Sequence, residues 1–223
     1  MDTFFECVMK GQDILLLLKL SALELQALTS SPAPNKLPED HANEVFSIDE
    51  AGSEKDVDSR LHFKWNLGYD PYSVRGLSSA TGISKSEVSN ALGRCYANGL
   101  AKPHRHGDGP VVNRRGLEEF LSYGIRFVFP AQTSGLALGI QTGLTAPIFQ
   151  GILRSAGEHP PVWPDPHGDT LGLAVEPLYK TVTTAIRNDE TLYKLLATVD
   201  SIRLGQSRER KLATEQLHEL LNF

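Results

Sequence analysis

The stretch SSATGISKSEVSNALGRC (78–95) decides how the chain folds. Most of its residues are small or hydroxylated. Yet Leu77, Ile83, Val88, Ala91, Leu92 and Cys95 recur at spacings that line the inner faces of two short helices. Gly82 stands between them, where a residue without Cβ takes the left-handed conformation that ends a helix. Ser84 then serves as the N-cap of a second helix, with Glu87 in the capping-box position three residues on. Ile83 and Val88 flank that cap as a hydrophobic staple. The spacing predicts a first helix from Tyr72 and Ser73 to Ala80. The second helix turns Val88, Ala91, Leu92 and Cys95 inward and Lys85, Ser86, Ser89, Asn90 and Arg94 outward.

Downstream, NGLAKPHRHGDGPVVNRRGLEEFL reads as a two-stranded hairpin: out over 100–106, a turn at Gly107-Asp108-Gly109, back over 110–113. A helix follows from Arg114 to about Tyr123. Upstream, ILLLLKLSALELQAL (14–28) is helical and apolar on nearly every side, the pattern of a helix buried between two surfaces. Its Leu16, Leu20 and Leu23 exceed what the two short helices can cover, and are expected to face a second subunit. Residues 29–60 are rich in Pro, Ser and acids, with Val45, Phe46 and Ile48 as the apolar exception. They read as an acidic inserted loop, either a solvated connector or a docking segment, the connector being preferred.

Helix, turn, helix, hairpin and helix in that order, with basic residues at the hairpin, resembles the winged helix-turn-helix domain of bacterial transcriptional regulators such as the MarR family. The resemblance covers about 14–124, departs from the pattern at the acidic insertion, and is most specific in LSSATGISKSEVSNAL. It implies a mainly α fold with a small β-hairpin wing over 1–124. An irregular, helix-ended region over 125–223 would then serve dimerisation and effector or partner binding. It also implies that Lys85, Ser86, Ser89 and Asn90 meet base edges of double-stranded DNA. Arg94, Lys102, Arg105 and Arg114 would contact phosphates, with His104 on the wing near them.

Charge distribution agrees with that expectation. The net charge is −5, but 73–126 holds eight Lys and Arg against four acids, which puts +4 there and −9 on the rest. A local basic footprint in an acidic chain fits a DNA-binding module. Cys7 and Cys95, neither in a CxxC, fit a reducing compartment. Lys19 and Glu24 interrupt the apolar helix, which is shorter than the roughly 20 residues of a membrane span. Asp2 and Glu6 oppose a signal peptide. A cytoplasmic protein without a membrane partner is expected.

Enzymatic signals are few. In WPDPHGD, Asp165, His167 and Asp169 alternate and offer metal-binding groups, but no second ligand cluster accompanies them. A Pro/Gly turn with solvated side chains is therefore preferred. Gly135, Gly139 and Gly143 recur every four residues without forming a dinucleotide or Walker sequence. Oxidation of Cys95 would disturb the second helix, yet its inner-face position makes it a small core residue. No catalytic residue, metal or cofactor is expected. Residues 125–175 show no clear period. Helices are expected at 178–188, 190–202 and 208–221, the last with a stripe of Leu212, Gln216, Leu217, Leu220 and Leu221. The functional expectation is a sequence-specific transcriptional regulator, a homodimeric repressor paired through its first and last helices. The alternative is an antitoxin-type protein that binds a partner protein through its C-terminal half and autoregulates through the winged helix.

Overall fold

In the computed structural model, which describes residues 8–29, 70–104, 109–150 and 159–221, the apolar helix lies at the centre. α1 (Gly11–Thr29) buries Ile14, Leu15, Leu16, Leu17, Leu18 and Leu20 completely. Each such side chain contributes about 1.5–3 kcal/mol, so an all-round apolar helix needs a covering surface on both sides. One side packs against α2 (Val74–Thr81), α3 (Lys85–Ala97) and β2 (Pro110–Val112), the other against α7 (Glu190–Leu204). This corrects the expectation for Leu16, Leu20 and Leu23. The first two are fully buried and Leu23 is half-buried against the same core, all within one chain. The spare leucines that suggested a second subunit are covered by the chain's own C-terminal half.

The α2–α3 corner follows its local signals. The Ser73 hydroxyl accepts from the Gly76 amide, and Gly82 closes α2 with φ of 70°. Ile83 and Val88 are buried on either side of the Ser84 cap, whose hydroxyl accepts the Glu87 amide at 3.4 Å. Only that half of the capping box forms. The Glu87 carboxylate turns instead to Gln12 and Asn90. A residue from the far half holds the corner too, since the Thr181 hydroxyl donates to the Thr81 carbonyl at 2.6 Å. The inner face of α3 is Val88, Ala91, Leu92 and Cys95, all buried, as the spacing predicts.

β1 (Ala101–Pro103) pairs antiparallel with β2, Ala101 opposite Val112 and Pro103 opposite Pro110. Two facing prolines offer no amide to the ladder, which keeps the strands short and blunts their edges. Arg105, His106 and the Gly107-Asp108 part of the turn lie outside the described residues, as does the acidic insertion beyond Thr29. Asn113 caps α4 (Arg114–Glu119) by accepting the Gly116 amide. The helix continues through a wider π turn (Phe120–Gly124) into α5 (Ile125–Val128), past the end expected at Tyr123.

The stretch without a readable period forms a small closed sheet. β3 (Thr133–Gln141) runs antiparallel to both β4 (Pro161–Pro164) and β5 (Thr170–Val175), and β4 and β5 close it in parallel. Backbones approach closely there: a Cβ on Gly139 would lie 2.1 Å from the Trp163 carbonyl oxygen, and one on Gly168 2.3 Å from Gly139. Glycines at these contacts, and leucines on the outer face of β3, remove the alternation that marks a half-buried strand. α6 (Val182–Ala185) is a single turn where a helix over 178–188 was expected. α7 and α8 (Ser207–Leu221) lie close to the expected bounds.

A buried polar knot clips the small sheet to α7. Asp200 accepts from the Trp163 indole at 2.6 Å, from the Thr142 hydroxyl at 3.1 Å and from Arg203. Burial pushes the Asp200 carboxyl up against the pull of those donors. The apolar core runs continuously from α1 through both halves. Among the described residues no helix is long and apolar enough to cross a membrane.

Candidate nucleic-acid interface

The outer face of α3 carries Lys85, Ser86, Ser89 and Asn90, all exposed, with Gly93 a turn further along. A Cβ on Gly93 would meet nothing within 4 Å, so this face is low and open to close approach. The Ser89 hydroxyl donates back to the Lys85 carbonyl at 3.2 Å, which leaves its oxygen as an acceptor. Ser86 shares a hydrogen bond of 3.2 Å with the Ser84 cap. The Asn90 amide donates to Glu87 at 3.2 Å, and the buried Gln12 of α1 donates to the other Glu87 oxygen. These two bonds, that of Gln12 first, hold the Glu87 carboxyl below its ordinary range.

Beside α3 stands the hairpin. Lys102 is exposed, while His104 is half-buried and its amide donates to the Gly109 carbonyl at 2.9 Å. Lys102 edges a concavity of about 730 Å³, shared with Glu24, Val111, Asn113 and Arg114.

Two expected phosphate contacts are placed otherwise. Arg94 turns inward and grips Asp13 with both Nε (2.8 Å) and Nη2 (2.6 Å); its side chain is 11% exposed and that of Asp13 is 0% exposed. A carboxylate buried that deeply requires a counter-charge. Position 94 lies on the flank between the inner and outer faces, so helical spacing could not decide its direction. Arg114 pairs with Glu24 at 2.9 Å and keeps a third of its side chain exposed. Arg115 pairs with Glu119 in solvent. Bringing Asp13 and Glu24 onto the 73–126 segment lowers its charge from +4 to +2. Among the described residues of 73–126, the cations left without a carboxylate partner are Arg75, Lys85, Lys102 and Arg126, the last 5.1 Å from the Phe127 ring centroid. Arg105 lies outside the described residues.

No protein-family model, no curated protein and no solved structure matches the chain.

The other sequence candidates do not converge on a site. Asp165 is buried and organises its own turn: one oxygen accepts the His167 amide at 2.8 Å, the other lies 3.5 Å from Arg187. The His167 amide is the main reason the Asp165 carboxyl sits below its ordinary range. His167 and Asp169 are exposed, and among the described residues no three metal-binding side chains come together. Cys95 is buried and burial pushes its thiol up to about 12, which keeps it protonated and inert.

Sequence reasoning missed Gln12, Asp13 and Glu24. All three lie on α1, which read as packing surface alone. Their signal was their presence: polar and charged side chains in a largely apolar helix call for partners elsewhere.

Proposed function

We propose that the chain is a sequence-specific DNA-binding transcriptional regulator built on a winged helix-turn-helix. α3 is its recognition helix and the β1–β2 hairpin its wing. The observation that carries this reading is the outer face of α3. Lys85, Ser86, Ser89 and Asn90 project together from its first half, none consumed by packing. Residues in that part of a recognition helix meet base edges in the major groove. Asn supports bidentate contact to adenine, and Lys donates to the acceptors of guanine. Lys102 supplies a phosphate contact from the wing, and Arg114 a weaker one because Glu24 shares its charge. With a local charge of only +2, affinity rests less on counterion release than the sequence implies. Specificity then falls to the α3 face.

Selection of bound fragments from sheared genomic DNA by the purified full chain tests this. Enrichment of one motif supports it; recovery of fragments without a shared motif overturns it.

One observation favours the second reading, an antitoxin-type protein that binds a partner protein through its C-terminal half. Leu136, Leu138 and Leu171 are each about half exposed, and Leu138 lies directly opposite Leu171 on the paired strands. Soluble chains cover such clusters. Light scattering with and without the product of an adjacent reading frame separates self-association from a second protein.

A further inference from the structure

We infer that Glu87, braced by Gln12, is a positioning residue that orients Asn90 to read an adenine and so sets the specificity of α3. The inference rests on the DNA-binding reading above and adds the residues that give it sequence preference.

Glu87 stands where a capping-box glutamate belongs, yet its carboxylate does not return to the cap. One oxygen accepts from Gln12, a buried side chain that reaches across from α1, and the other accepts from the exposed Asn90. A carboxylate can only accept, so the edge of the Asn90 carboxamide that faces it must be the amino group. The carbonyl oxygen of Asn90 then points the other way. Of its two amino hydrogens, one is held by Glu87 and one remains. An adenine in the major groove needs just this pair, one donor for N7 and one acceptor for the N6 amino group. Without Glu87 the carboxamide turns freely about its terminal bond, and the inverted orientation presents no such match. Gln12 gives the carboxylate a fixed seat, since it is buried and anchored on the central helix.

Glu87 has a second effect with the opposite sign. Its negative charge, half-exposed on the DNA-facing helix, repels phosphates whatever the sequence, so it lowers binding to random DNA while sharpening the preferred site. A residue that merely stabilised α3 would move both affinities the same way.

The test uses the full chain, the motif obtained by selection, its single-base variants and a random duplex. Asn90→Ala is expected to reduce the preference for adenine at one position by about 5- to 150-fold. Gln12→Ala should reduce the same preference and leave random-DNA affinity unchanged. Glu87→Ala should reduce it while raising random-DNA affinity. Glu87→Gln keeps an acceptor for Asn90 and removes the charge, so it should retain the preference and still raise random-DNA affinity. Circular dichroism melts of the four variants identify any that lose the fold, and either Gln12→Ala or Glu87→Ala suffices. If both leave every base preference intact while Asn90→Ala abolishes one, the relay is wrong and the DNA-binding reading stands. If the wild-type chain enriches no motif at all, both fall together.

Discussion

Replacing Arg94 with Ala separates the two roles that sequence and structure give this residue. On the helical-spacing view Arg94 is an exposed phosphate contact. Its loss would then change stability by no more than about 0.5 kcal/mol and lower the salt slope of DNA binding by about 0.9. In the structure Arg94 is the bidentate counter-charge of Asp13, whose side chain is 0% exposed and, among the described residues, otherwise accepts only the Lys10 amide. Removing one member of a buried pair strands the other charge and costs about 3–5 kcal/mol. For a chain of this size each kcal/mol moves the thermal midpoint by about 2–4 °C. The expected fall is therefore about 6–20 °C, measured by differential scanning calorimetry and by circular dichroism melts. The double variant Asp13→Leu, Arg94→Met should recover most of it, because replacing a whole buried pair by apolar side chains is close to neutral. An Arg94→Ala chain that melts with the wild type would refute the inward placement and return Arg94 to the outer face of α3.

Other expectations follow from the same contacts. The folded Asp165 carboxyl titrates below its ordinary 3.8, so its stabilising contribution is complete above that pH and is lost as pH falls through the folded value. Asp165→Asn should lower the midpoint at neutral pH, and the gap to wild type should close on acidification. Gly139→Ala would place a Cβ 2.1 Å from the Trp163 carbonyl oxygen and should sharply lower the thermal midpoint, whereas Gly135→Ala meets nothing within 4 Å and should melt with the wild type. Lys102→Ala should weaken binding to all duplexes alike and reduce the salt slope by about 0.9, read from fluorescence anisotropy titrations at several salt concentrations.

The corner from Ser73 to Cys95 was legible because each signal in it acts within a few residues. A serine cap bonds an amide three positions on, a glycine ends a turn, and the apolar period sets which face is buried. The same holds for α7 and α8. Beyond such reach the sequence was silent. The small sheet of β3, β4 and β5 rests on close backbone approaches between glycines and carbonyls distant in the chain, which no periodicity encodes. The apolar character of α1 foretold burial on two sides, but only the tertiary structure showed that α7, and not a second chain, supplies the second surface. The candidate interface divides along the same line. Lys85, Ser86, Ser89 and Asn90 face outward because helical geometry alone fixes their direction. Arg94 and Glu87 are long, polar and flexible, and their directions are set by whichever charge or amide packing brings within reach: Asp13 at a separation of 81 residues and Gln12 at 75.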